Sequence, residues 1–223
     1  MKVSNALNSR MSVRAFLDKP VPGEIVKDIL LAAARSPSGG NLQPWHVWAL
    51  AGQELERFKS LVAERMKINP MGEKAEYNIY PPELKEPYRT RRFKNGEDLY
   101  RTIEIPREDK AARLKQLAKN FEFFGAPVGL FFAIDRQMEP GQWADLGMYL
   151  QSVMLLAFEK GLATCPQEAW AIWHRTIAEF IALPPHLMIF CSMAVGYADA
   201  EHPINSLRTE RADLPEFATL RGF

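Results

Sequence analysis

Arg10, Ser12 and Arg14 alternate in the stretch Asn8-Ser9-Arg10-Met11-Ser12-Val13-Arg14-Ala15-Phe16. In an extended chain, side chains two residues apart project to the same side. Two guanidiniums with a hydroxyl between them suit a phosphate, because each fork pairs bidentately with its oxygens and the hydroxyl adds a donor. The same alternation also fits the solvated edge of a strand. Two further guanidiniums, Arg208 and Arg211, stand in the tail Asn205-Ser206-Leu207-Arg208-Thr209-Glu210-Arg211.

A second chemistry-bearing stretch is Ser36 to Trp48, S-P-S-G-G-N-L-Q-P-W-H-V-W. Pro37 cannot continue a helix and biases Ser36 out of the helical region. Gly39 and Gly40 allow a close backbone approach to another surface. Asn41 and Gln43 offer amide donors and acceptors that read a planar ring with polar edges. Gly, Pro, Ser and Asn are also what ordinary helix-to-strand loops are made of. A third stretch, Leu162-Ala163-Thr164-Cys165-Pro166-Gln167-Glu168-Ala169-Trp170, leaves a short apolar strand. It presents backbone amides from Gln167 to Ala169, and these can meet the edge of a ring. Cys165 has no histidine partner at a recognisable spacing, so it reads as a buried filler rather than a nucleophile.

These stretches sit between regular elements. Pro22-Gly23-Glu24 opens a helix with Ile25, Val26, Ile29, Leu30 and Ala33 on one face. Residues 45–51 read as a strand rich in aromatic and β-branched residues, and 53–66 as a helix. Residues 68–108 differ in texture: Pro70, Gly72, Pro81, Pro82, Pro87 and Gly96 punctuate them and no period persists. Such an excursion is expected to pack over a pocket or a partner subunit. A helix over 110–124, a buried apolar strand over 128–134 and a long core helix over 143–160 follow, the last closed by Gly161. A short helix at 175–183 and an apolar strand at 187–197 lead into the tail. The expected organisation is one domain over 1–223, with the excursion at 68–108 and a C-terminal tail at 199–223.

Composition narrows the class. The chain has 223 residues, 47% hydrophobic and 25% charged, with a net charge of +1. That is the balance of a soluble globular protein, and it invites neither nucleic acid nor an anionic membrane. The run Arg89-Thr90-Arg91-Arg92-Phe93-Lys94 interleaves basic and aromatic residues, but Glu83, Glu86, Glu97 and Asp98 flank it. The N-terminus lacks a signal-peptide core, and Leu146 to Phe158 falls short of the roughly 20 residues that span a bilayer. Two cysteines fit neither a disulfide scaffold nor a zinc site, and His46, His174, His186 and His202 lack metal-ligand spacing. A cytoplasmic location is expected.

Four motifs in order, R-x-S-x-R-x-F at Arg10 to Phe16, P-S-x-x-N-x-Q-P-W at Pro37 to Trp45, G-L-x-T-x-P-Q at Gly161 to Gln167 and a terminal R-x-x-R, resemble the FMN-dependent nitroreductase family. The excursion Tyr80-Pro81-Pro82-Glu83…Pro87-Tyr88-Arg89-x-Arg91-Arg92 resembles the branch containing nitrobenzoate reductases. Family members often carry Glu-Gly after the third motif, whereas Glu168 is followed here by Ala169.

The resemblance implies an α+β nitroreductase-like fold, with a central, mostly antiparallel sheet flanked by helices, in an interlocked homodimer with FMN at the interface. Arg10, Met11 and Ser12, with Arg208 and Arg211, are then expected at the FMN phosphate, and Arg14 at the pyrimidine edge. Pro37, Ser38, Gly39, Asn41 and Gln43 are expected from the partner subunit. Pro166, Gln167, Glu168 and Ala169 are expected along the ring edge bearing N5. The implied reaction passes hydride from NAD(P)H via the flavin to a nitroaromatic acceptor, nitrobenzoate being the candidate, by a ping-pong mechanism with no protein nucleophile and no metal. Phe123, Phe124, Trp170 and Trp173 are candidates for an aromatic roof, and Arg89, Arg91 and Arg92 for pairing a substrate carboxylate. Other flavin reductions in the same fold, such as dehalogenation or enone and quinone reduction, and a non-catalytic flavin-binding protein are the alternatives.

Overall fold

The apolar run at Val128–Asp135 becomes an inner strand of a four-stranded antiparallel sheet. The computed structural model describes residues 2–223. Its helices are Val3–Ser9 (α1), Gly23–Ala33 (α2), Gly52–Ile68 (α3), Tyr88–Thr102 (α4), Lys110–Ala118 (α5), Pro140–Glu159 (α6), His174–Phe180 (α7) and Leu214–Phe217 (α8). Its strands are His46–Ala51 (β1), Val128–Asp135 (β2), Ala163–Gln167 (β3) and Leu187–Gly196 (β4), in the spatial order β1-β2-β4-β3.

Side chains alternate across β2, and both faces are covered, which is why its sequence reads as continuously apolar. Leu130, Phe132 and Ile134 join Val26, Ile29, Leu146 and Val153 in one core, under α2 and α6. Phe131 and Ala133 join Phe58, Val62, Phe123, Trp170, Trp173 and Ile177 in the other, under α3 and α7. Gly129 permits the second packing: a Cβ there would lie 2.6 Å from the Phe123 ring. Pro140 at the first turn starts α6, and Gly161, at φ 75°, ends it in the left-handed conformation that glycine accepts.

The excursion is not irregular throughout. Residues 88–102 form α4, a helix with no buried residue. Only Gly96 to Tyr100 and Thr102 are half-buried, a short patch without a repeating apolar stripe, so the pattern that reveals amphipathic helices is missing. Its order rests on charge pairs: Lys94 to Asp98 at 2.6 Å, Arg101 to Asp98 at 2.9 Å and Arg113 of α5 to Glu97 at 2.6 Å. Glu73, near the start of the excursion, anchors it to the body: its carboxylate accepts the Arg175 and Thr176 N–H groups at 2.9 and 3.1 Å.

Candidate functional site

The segment from Arg10 to Phe16 runs beside β3. Ser12 pairs with Thr164 in a parallel bridge, and the Val13 N–H donates to the Thr164 carbonyl at 3.0 Å. Asn205, almost buried, fixes the segment against the tail. Its Oδ1 accepts the Arg14 N–H at 2.8 Å, and its Nδ2 donates to the carbonyls of Ala15 and Asp199 at 2.9 and 2.8 Å. Asn205→Ala leaves one donor and two acceptors without their partner, so an unfolding free energy lower by about 2–3 kcal/mol is expected. A shift in the urea midpoint at unchanged slope measures it.

Above Ser12 lies a cleft of about 340 Å³ lined by Arg10, Arg14, Arg208 and Arg211, together with Met11 and Asn95. The bridge and the Asn205 clasp are therefore what gathers four guanidiniums from the two ends of the chain. Arg14 Nη1 donates to the Ser12 carbonyl at 3.2 Å, and Arg208 Nη1 lies against the Met11 thioether. The tail's carboxylates are engaged elsewhere, Glu210 with Lys94 at 3.1 Å and Glu216 with Arg91 at 2.8 Å. Arg10 Nε is buried without a hydrogen-bond partner. Burial, and then the neighbouring charge of Arg211, lower the pKa of the Arg10 guanidinium. Clustered cations with an unpaired buried donor are relieved by a multivalent anion, and a phosphate supplies both the charge and the acceptors. The residues present fit the phosphate end of FMN.

From this cradle β3 leads to Pro166 and Gln167 at its end, where the chain turns into a short 3-10 helix, Glu168–Trp173. Gln167 is turned inward: its Nε2 donates to the Asn120 carbonyl at 2.8 Å, while its Oε1 is buried without a partner. Pro166, Glu168 and Ala169 are half-buried and form the surface of the turn. Burial raises the pKa of the Glu168 carboxyl. Cys165 is buried, and burial pushes its thiol up to about 11, as expected of a filler rather than a nucleophile.

The family-wide sequence pattern of the Nitroreductase family matches residues 7–197. The chain belongs to the nitroreductase family. It is 37% identical over 217 residues to the chloronitrobenzene nitroreductase of Comamonas testosteroni, covering 97% of this chain and 96% of that one. It is 37% identical over 215 residues to the 4-nitrobenzoate reductase of Pseudomonas putida, covering 96% and 93%. The crystal structure of the FMN- and NADPH-dependent nitroreductase NfnB from sphigopyxis sp. strain HMH superposes with a TM-score of 0.96 at 44% identity, over 100% of both chains. The α+β nitroreductase-like fold expected from the motifs is thus the fold found.

Within this family member, the residues expected at a flavin fall into three places. Arg10, Met11, Ser12, Arg14, Arg208 and Arg211 share one cleft, and the 166–169 turn lies at the far end of the strand beside it. The Pro37–Gln43 loop lines no part of that cleft. It packs on α6 instead, where the Gly39 N–H donates to Asp145 Oδ2 at 3.0 Å. Gly40, Asn41 and Gln43 hold positive φ values of 57°, 58° and 50°, an irregular turn rather than a simple loop.

One expectation is corrected. Phe123, Phe124, Trp170 and Trp173 do not roof a pocket, for all four are buried in the core beneath β2. An aromatic residue beside a site motif is as easily a packing residue, and here the strand face decides. The excursion's arginines are exposed and sit in surface pairs. Arg89 pairs with Glu86 at 2.7 Å, Arg91 with Glu216, and Arg92 stacks 3.9 Å from the Tyr80 ring centroid. Asn205 and Asp145 gave no motif signal. Asp145 alone could have been noticed, as an acid within an otherwise apolar helix face.

Proposed function

We propose that the chain is an FMN-dependent nitroreductase that oxidises NAD(P)H and reduces nitroaromatic compounds, acting as a homodimer. The observation that carries this is the cleft over Ser12, where four guanidiniums meet and a buried Arg10 Nε has no partner. The similarity to a chloronitrobenzene nitroreductase and a 4-nitrobenzoate reductase supports the acceptor class, and the similarity to the NADPH-dependent NfnB supports the donor.

In this reading Arg10, Ser12, Arg208 and Arg211 hold the FMN phosphate, with Met11 packed against Arg208. Arg14 sets a positive charge toward the pyrimidine edge, and Pro166, Gln167, Glu168 and Ala169 border the edge bearing N5. When bound, FMN supplies a two-electron carrier between a nicotinamide and an electron-poor acceptor. The chain's own part is orientation and electrostatics: the cradle anchors one end, and the β3 turn limits how the ring can tilt. Pro37, Ser38, Gly39, Asn41 and Gln43 reach the ring of the other protomer's site. Their absence from the lining of this chain's own cleft supports that placement. Leu7, Leu31, Leu42, Met148, Phe217 and Leu220 are exposed apolar side chains of the kind that a second copy would cover.

The 223 residues work as one unit in this proposal, with the excursion as its rim. Two free, buried cysteines support a reducing compartment, the cytoplasm. No helix among the described residues is long and apolar enough to cross a membrane. Initial rates of NADPH oxidation, measured at several 4-nitrobenzoate concentrations, are expected to give parallel double-reciprocal lines. Intersecting lines overturn the ping-pong order, and an absence of acceptor-dependent turnover with 4-nitrobenzoate and chloronitrobenzene overturns the substrate class.

A further inference from the structure

Asp145 is a buried carboxylate that none of the roles above uses. It is 6% exposed, in the second turn of α6, and it is the only buried aspartate or glutamate among the described residues. Its Oδ2 accepts the Gly39 N–H at 3.0 Å. The helix grips the same loop at two more points on the same face. Tyr149, four residues on, stacks on Trp45 with centroids 4.8 Å apart and planes 9° apart. Ser152, three further on, shares a hydrogen bond with Ser36, Oγ to Oγ, at 2.6 Å. Positions i, i+4 and i+7 form one stripe of an α-helix, and here that stripe meets the loop at its start, middle and exit.

The held conformation is one that a free loop would rarely visit. Gly40, Asn41 and Gln43 all sit in the left-handed region, and only the first is a glycine. Such backbone persists where its surroundings over-determine it. Inside the loop there are only two side-chain fastenings, the Gln43 N–H to Ser38 Oγ at 3.0 Å and Gln43 Nε2 to the Asn41 carbonyl at 3.1 Å. We propose that Asp145 is a positioning residue for the flavin ring. From α6 it clamps the Pro37–Gln43 loop in the shape that meets the isoalloxazine of the partner's site. The proposal rests on the reading that this loop lines a flavin, and it adds the residue that pre-organises it. Asp145 touches no cofactor or substrate itself.

The effect differs in kind from loss of the phosphate cradle. A loop that meets the ring senses FMN and riboflavin alike, because both carry the same isoalloxazine. In the flavin-free dimer, Asp145→Ala is expected to weaken FMN and riboflavin by the same factor, about 10-fold, as befits one charge-assisted bond. Asp145→Asn keeps an acceptor of the same shape and is expected to restore most of the affinity. Hydrogen exchange of residues 36–45 should quicken in Asp145→Ala while residues 128–135 in β2 stay protected, which separates a released loop from a disturbed core. Because alanine in the core can cost folding, Ser152→Ala, at another of the loop's fastenings to α6, serves as the milder variant and should move loop exchange and both affinities in the same direction. Unchanged loop exchange in Asp145→Ala overturns the clamp. Faster loop exchange with unchanged riboflavin affinity overturns the placement of the loop at the ring, and the positioning role with it. A loss confined to FMN overturns the proposal by assigning Asp145 to the phosphate end.

Discussion

The Arg10→Ala/Arg211→Ala double variant is expected to bind FMN at least about 100-fold more weakly than the unaltered protein, with riboflavin affinity almost unchanged. Each charge-assisted hydrogen bond contributes about 1.5–3 kcal/mol, and every 1.4 kcal/mol is tenfold in affinity. Both residues line the cleft over Ser12, and Arg211 is close enough for its charge to lower the pKa of the Arg10 guanidinium. Neighbours of this kind do not act independently, so the single variants should not sum to the double. Riboflavin is the control because it lacks the phosphate and keeps the ring. Fluorescence titration of the flavin-free variants with each compound measures the difference. Equal losses for the two flavins would place these arginines at the ring, and unchanged FMN affinity would remove them from the site.

Trp170→Ala is expected to destabilise the fold by about 3–5 kcal/mol, a large share of the roughly 5–15 kcal/mol that domains possess. The ring is fully buried between Phe123, stacked at 4.7 Å, and the edges of Phe121 at 5.2 Å and Phe131 at 5.9 Å. Its Nε1 is buried without a hydrogen-bond partner in the chain. Trp170→Phe therefore deletes an unsatisfied donor along with some volume, and a smaller cost of about 1–2 kcal/mol is expected. Urea unfolding of both variants tests the order. A residue roofing the substrate would behave otherwise, with KM changing and the unfolding midpoint unmoved.

Sequence patterning resolved the elements whose apolar faces are buried. The periods of α2 and α3, the apolar wrap of α6 and the unbroken run of β2 follow directly from what they pack against. It could not resolve α4, where charge pairs replace an apolar face, nor the short α1. The shared cleft of Arg10, Ser12 and Arg14 was legible because their alternation carries its own chemistry. What brings in Arg208 and Arg211 was not, since Asn205 and the Ser12–Thr164 bridge are contacts between positions far apart in the chain. The aromatic roof failed for the converse reason. Trp170 stands beside a site motif in sequence, but the sheet face that it and Phe123 pack on belongs to the core.

The reaction itself is tested most directly by following the colour of the FMN-loaded protein under anaerobic conditions, in two separate half-reactions. Addition of NADPH alone is expected to bleach the flavin in equal stoichiometry, and 4-nitrobenzoate added after the oxidised nicotinamide is removed is expected to restore the colour while the nitro group is reduced. Protein that takes up FMN, bleaches with neither NADPH nor NADH, or stays bleached in the presence of nitroaromatics would contradict the account.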